Sequence, residues 1–118
     1  MGRRVLVVDA NVDAAESLAL LLRLYGHHCA TAHTGPDALA AAARLAPDAV
    51  FLAIDLPGLN GYEVCRRLGD GAAGPRPRLL VALTGHGQDE ARKAAAAAGF
   101  DHHLLKPADP DALLKLLG

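Results

Sequence analysis

The chain has 118 residues, 52% hydrophobic and 21% charged, with 12 basic and 13 acidic side chains leaving a net charge of −1. That length fits one domain able to bury a core without disulfides or metal, and the apolar content excludes a disordered chain. The near balance of charge offers no basic face for nucleic acid, and Cys29 and Cys65 are too few for a secreted disulfide framework.

Aromatic residues are only 3% of the chain, so a core built on methyl groups and small helix faces is expected. At the start, Arg3 and Arg4 precede an apolar run that stops at Asp9 with no small-residue cleavage signal. No window is long enough to cross a bilayer, so a cytoplasmic protein, or a piece excised from a larger one, is expected.

Val5-Leu6-Val7-Val8 reads as a short strand closed by Asp9. Asn11 to Tyr25 follows with Val12, Ala15, Leu18, Ala19 and Leu22 at helical spacing, and Gly26 stands in the stop position. His28 to Ala32 is a weaker second strand, and Gly35-Pro36 opens a helix that runs to Ala46. The fully apolar run from Ala49 to Ile54 predicts a buried third strand, with Gly61 to Leu68 a short helix after it.

Gly69 to Arg78 reads as a loop. Leu79 to Leu83 is a fourth strand, Gln88 to Ala98 an alanine-rich helix ended by Gly99, and Asp101 to Leu105 a fifth strand. Asp109-Pro110 caps a last helix over Asp111 to Leu117. Five strands alternating with five helices predict an α/β domain over residues 1–118, its parallel sheet covered on both faces.

In such sheets chemistry gathers at the carboxyl ends of the strands, which singles out the turn after the third strand. Pro47-Asp48, the apolar strand, Leu56-Pro57-Gly58 and Gly61-Tyr62-Glu63-Val64 together resemble the receiver domains of two-component response regulators. The resemblance spans essentially the whole chain. It implies the doubly wound, flavodoxin-like receiver fold, sheet order 2-1-3-4-5, with a crevice between the first and third strands.

Receivers accept a phosphoryl group from a histidine kinase on an aspartate that ends the third strand. Registered on Leu56-Pro57-Gly58, that position is Ala53. The family's pair of metal-holding acids after the first strand matches Asp9-Ala10, so one acid remains, and by the family pattern the missing one is the direct metal ligand. Thr84 matches the hydroxyl switch residue, Lys106-Pro107 the lysine and its following proline, often joined by a cis bond, and His103 the aromatic switch position.

Mg²⁺ requires near-octahedral oxygen coordination, commonly from one or two carboxylates. With Ala10 and Ala53 in place, weak or no Mg²⁺ binding is expected at the residual candidates Asp9 and Asp55, and Asp9 is left to pair with Lys106. Asp55 is the one substitute acceptor. Strand alternation gives it the direction of Ala53, but about 6–7 Å farther along the chain.

The expected function is therefore a receiver-like module of a phosphorelay, not an enzyme, whose state is not set by its own phosphorylation. Implied partners are a histidine kinase, another receiver or an output domain, met through the fourth helix, fifth strand and fifth helix, with a homodimer as a further outcome. Neither nucleic acid nor membrane is implied. Leu113, Leu114, Leu116 and Leu117 leave the last helix apolar most of the way round, which suggests either a meeting surface or tolerated exposure.

Three alternatives stand beside this. Asp55 is phosphorylated instead; Ala10 and Ala53 are introduced substitutions in an ordinary phosphoacceptor; or the vacated pocket takes a small molecule. The histidines carry no metal pattern, because His102 and His103 point to opposite faces and His27-His28 lie at a turn. Thr84-Gly85-His86-Gly87 lacks the lysine of a P-loop. Cys29 and Cys65 read as small packed apolar groups.

Overall fold

Valine, leucine and alanine fill the three middle strands, as a strand covered on both faces demands. In the computed structural model, which describes residues 2–71, 74–85 and 89–117, these are β1 (Arg4–Val8), β3 (Ala49–Ala53) and β4 (Leu79–Thr84). β2 (His28–Ala32) and β5 (His102–Leu105) take the edges, in the order β2-β1-β3-β4-β5, and all pairings are parallel. The expected order and the doubly wound, flavodoxin-like architecture are both present. All of β3 is buried, whereas β5 begins and ends exposed.

The crossovers are α1 (Val12–Leu24), α2 (Gly35–Leu45), α3 (Gly61–Gly69) and α4 (Asp89–Ala98), and α5 (Pro110–Leu117) follows β5. Three of them start on a side-chain cap: Asn11, Thr34 and Asn60 accept the N–H of Ala14, Asp37 and Glu63 at 3.1, 3.1 and 3.0 Å. Each such cap contributes about 1 kcal/mol and fixes where the loop after its strand ends. The boundaries shift slightly from the sequence reading. β4 takes in Thr84, β5 starts one residue later, and the expected helix start at Gln88 lies outside the described residues, as do Ala72, Ala73, His86 and Gly87.

α2 stops at Leu45 because Ala46 turns left-handed, φ 47°, while its N–H still bonds the Ala42 carbonyl at 2.9 Å. A β-carbon there costs roughly 1–2 kcal/mol. Pro47 follows and keeps the helix from continuing.

Alternation sorts the sheet into two faces. Leu6, Val8, Val50, Leu52, Leu80 and Ala82 belong to the core shared with α2, α3 and α4. Val5, Val7, Phe51, Val81 and Leu83 belong to the core shared with α1 and α5. Of the four α5 leucines, Leu113 and Leu117 are buried in this second core, and Leu114 and Leu116 pack half-buried against it. The large exposed apolar side chains lie elsewhere: Val12, Leu20 and Leu24 on α1, Tyr25 just after it, and Leu105 at the end of β5.

Candidate functional site

β1, β3, β4 and β5 all point their carboxyl ends the same way, so the residues that leave them share one edge of the sheet. Asp9 is the first residue past β1. Its N–H donates to the Ala32 carbonyl at 3.1 Å, and its own carbonyl accepts from His33 Nδ1 at 3.0 Å. A carbonyl only accepts, so that ring nitrogen carries the proton.

Asp9 is 6% exposed, and among the described residues its carboxylate has two partners. Oδ1 accepts the N–H of Asn11 at 3.0 Å, and Oδ2 accepts Lys106 Nζ at 2.7 Å. Charge-assisted bonds of this length are the strong ones. The ammonium is half-open to solvent, its side chain 36% exposed against 9% for Asp9. Lys106 is itself fixed through its backbone, donating its N–H to the Thr84 carbonyl at 2.8 Å, and the Lys106–Pro107 bond is cis. Thr84, the last residue of β4, is buried.

One register step past the Val8–Leu52 pair sets Ala53 level with Asp9, and Ala53 pairs across with Leu83. The Ala53 side chain is buried. At the centre of the strand ends there is therefore a methyl group, while Ala10 faces solvent.

β3 ends at Ala53, so strand alternation does not carry on to Asp55 as the sequence reading allowed. The backbone bends at Ile54, whose N–H reaches Leu83 and whose carbonyl accepts the N–H of both Leu56 and Gly61. Asp55 is exposed and lines a separate hollow with Ile54, Leu56, Asn60 and Tyr62. Two glycines lock this loop. A β-carbon on Gly61 would lie 2.6 Å from the Ala53 carbonyl oxygen, and one on Gly35 would lie 2.4 Å from that of Leu59.

His103 is half-buried on β5, and its Nε2 is buried with no hydrogen-bond partner among the described residues. Burial first, and the Arg92 guanidinium second, hold it below the ordinary histidine value. His102 beside it is exposed. Burial pushes the Cys65 thiol up to about 11 and raises that of Cys29, so both behave as apolar packing groups. Among the described residues no three His, Cys, Asp or Glu side chains come together.

Several residues were invisible to sequence reasoning. Asn11 carried a signal, an Asx residue two past an aspartate at a helix start, but His33 carried none. Nor was it foreseeable that the space beside Asp9 and Lys106 opens toward α1 and α5 instead of over Ala53. There a cleft of about 520 Å³ runs between Leu18 and Leu21 on one side and Ala108, Pro110 and Leu113 on the other.

Comparisons with known proteins agree with the fold. A family model described as the response regulator receiver domain matches residues 5–118. The DNA-binding response regulator MtrA of Mycobacterium tuberculosis is 36% identical over 114 residues, 97% of this chain and 48% of that protein. Protein PilH of Pseudomonas aeruginosa is 32% identical over 114 residues, 97% of this chain and 93% of that protein. The structure of the chemotaxis protein CheY4 of Vibrio cholerae superposes with a TM-score of 0.89 at 26% identity, covering 99% of this chain and 97% of that one. This chain thus spans about half the length of MtrA and nearly all of PilH.

Proposed function

We propose, from the premise that this chain belongs to the response regulator receiver domain family of two-component signalling, that it works as a receiver whose state is set by its partners and not by phosphorylation of its own third strand. The single observation behind this is the 2.7 Å bond between Lys106 and Asp9 alongside a buried methyl group at Ala53. Phosphoryl transfer is positioning plus charge neutralisation around a nucleophile and a cation. Thr84 and Lys106 are in place for the positioning. The nucleophile is not.

The donor set also fits Mg²⁺ poorly. Ala10 and Ala53 contribute no side-chain oxygen, and both oxygens of Asp9 are engaged, one by the ammonium and one by the Asn11 N–H. A hard dication would have to displace Lys106 and be held by a single carboxylate, well short of its octahedral demand. Asp55 does not repair this, because it is exposed and lines a different hollow from Asp9 and Lys106.

The partners that suit such a domain are a histidine kinase, another receiver or an output domain of a longer parent chain. The face made by α4, β5 and α5 is the surface proposed for them, with Leu105 half-exposed at its edge. Thr84 and His103 are the proposed switch pair, since a buried hydroxyl and a half-buried ring on neighbouring strands can change together. Two copies meeting through this face would form a symmetric dimer.

Incubation with acetyl phosphate and Mg²⁺, read by intact mass, tests the proposal. The mass is expected to stay unchanged, and millimolar Mg²⁺ is expected to leave the melting temperature where it was. A stoichiometric gain of one phosphoryl group, on Asp55 or on Asp9, would overturn it.

A further inference from the structure

We propose that the cleft between α1 and α5 is a binding site for an uncharged, mostly apolar small molecule that presents one carbonyl oxygen to Lys106. This goes beyond the signalling reading and does not depend on which protein the domain meets. The cleft measures about 520 Å³. That lies within the range of small-molecule sites, which combine apolar walls with a few convergent polar groups.

The walls supply the affinity. Leu18 and Leu21 of α1 are only half-buried, and across from them stand Ala108, Pro110 and Leu113. An apolar ring system laid between the two helices removes this surface from water, which is the driving force for such sites. Ser17 and Ala14 form the outer rim on α1 and are exposed.

The end formed by Asp9 and Lys106 supplies the selectivity. An ammonium has three donors, and among the described residues the one bond it makes to a side chain is to Asp9 Oδ2. Lys106 lines the cleft with its side chain 36% exposed, which leaves donor directions open to an acceptor on a ligand. Asp9 is the poorer anchor, because its other oxygen already accepts the Asn11 N–H. The pair is also balanced in charge. A cationic ligand meets Lys106, an anionic one meets Asp9, and either gives up hydration with no free counter-charge to receive it. A neutral acceptor avoids both costs.

The test uses the 118-residue chain and the uncharged ketone fluorophore propionyl-dimethylaminonaphthalene. Saturable, blue-shifted emission is expected, with amide NMR shifts centred on Leu18, Leu21, Ala108 and Leu113. The hydrocarbon analogue, propyl-dimethylaminonaphthalene, should bind about tenfold more weakly, the worth of one hydrogen bond to a charged donor. Ser17→Trp and, separately, Ala14→Phe should fill the rim and weaken binding by about tenfold or more while circular dichroism stays unchanged, since both residues are exposed on the helix. Emission that never saturates, shifts centred elsewhere, equal binding by both filled variants, or equal binding of the hydrocarbon would each overturn the proposal. None of these results bears on the acetyl phosphate experiment, so the two readings fail separately.

Discussion

The strand ends of β1 and β3 and those of β4 and β5 lie side by side on one edge of the sheet, yet they have fared differently. On the β4/β5 side, Thr84 is buried and Lys106 is tied to it through the backbone at 2.8 Å. On the β1/β3 side, the positions level with Asp9 and just after it are Ala53 and Ala10. The loop that follows β3 is nonetheless packed so closely at Gly35 and Gly61 that a β-carbon on either would fall inside van der Waals contact with backbone atoms. Backbone scaffolding and reactive side chains are thus separable. The fold needs the first, and only phosphoryl chemistry needs the second.

The most severe way to break this comparison is to give the β1/β3 side its acids back. If the scaffold is sound, Ala10→Asp combined with Ala53→Asp should give a chain that binds Mg²⁺ and takes up one phosphoryl group from acetyl phosphate, read by intact mass. The reactive atom would then stand level with Asp9 on the same strand edge as Lys106. A double variant that folds, binds Mg²⁺ and still gains no mass would show that positioning has decayed along with the acids.

A second experiment attacks the scaffold. Gly61→Ala forces a β-carbon to within 2.6 Å of the Ala53 carbonyl oxygen and 2.7 Å of Ile54 Cα, both backbone atoms with no room to yield. Overpacking of this kind costs up to about 3 kcal/mol, and urea denaturation should show it as a lower midpoint at unchanged slope. A neutral result would mean that the loop after β3 is not locked.

The third prediction contrasts the two members of the ion pair. Lys106→Ala leaves the Asp9 side chain, 9% exposed, with one backbone N–H among the described residues. That should cost about 1–2 kcal/mol, because a buried charge loses its counter-charge. Asp9→Ala lets the half-exposed ammonium turn to water and should cost less than about 1 kcal/mol. Equal losses in thermal melting would mean that the pair is held at the surface and not as a buried lock.

The sequence made the architecture legible because the middle strands carried apolar runs, polar only at Arg4 where β1 begins and at Thr84 where β4 ends, with turn residues standing between the elements. The resemblance to receivers brought Asp9, Ala53, Thr84 and Lys106 to one end of the sheet, and the pairing of Asp9 with Lys106 followed from that placement and their opposite charges. Asp55 was harder. Alternation holds only while the chain stays in the strand, and nothing local announced that β3 would end at Ala53 and bend at Ile54. The α5 leucines were ambiguous for a related reason. Periodicity shows that a helix is apolar, but only the packing shows that α1 and the sheet are what it meets. The α1–α5 cleft depends on two helices far apart in the chain, so no window of sequence contains it.

The smallest effect sharpens the comparison on the β4/β5 side. His103 is held below its ordinary value of 6.5 by burial and then by Arg92, with Nε2 unpaired among the described residues. Between the folded value and 6.5 the unfolded chain binds more protons, so stability rises with pH across that window. The contribution is complete above 6.5 and lost as pH falls through the folded value. His27 is lowered in the same direction, by burial and then by Arg3, and its Nδ1 already accepts the Arg3 N–H at 3.0 Å. His103→Phe should therefore flatten part of the acid-side slope of stability and leave the share that belongs to His27. A slope unchanged in His103→Phe would mean that the ring on β5 is solvated in both states, and the proposed pairing of Thr84 with a half-buried ring would lose its second member.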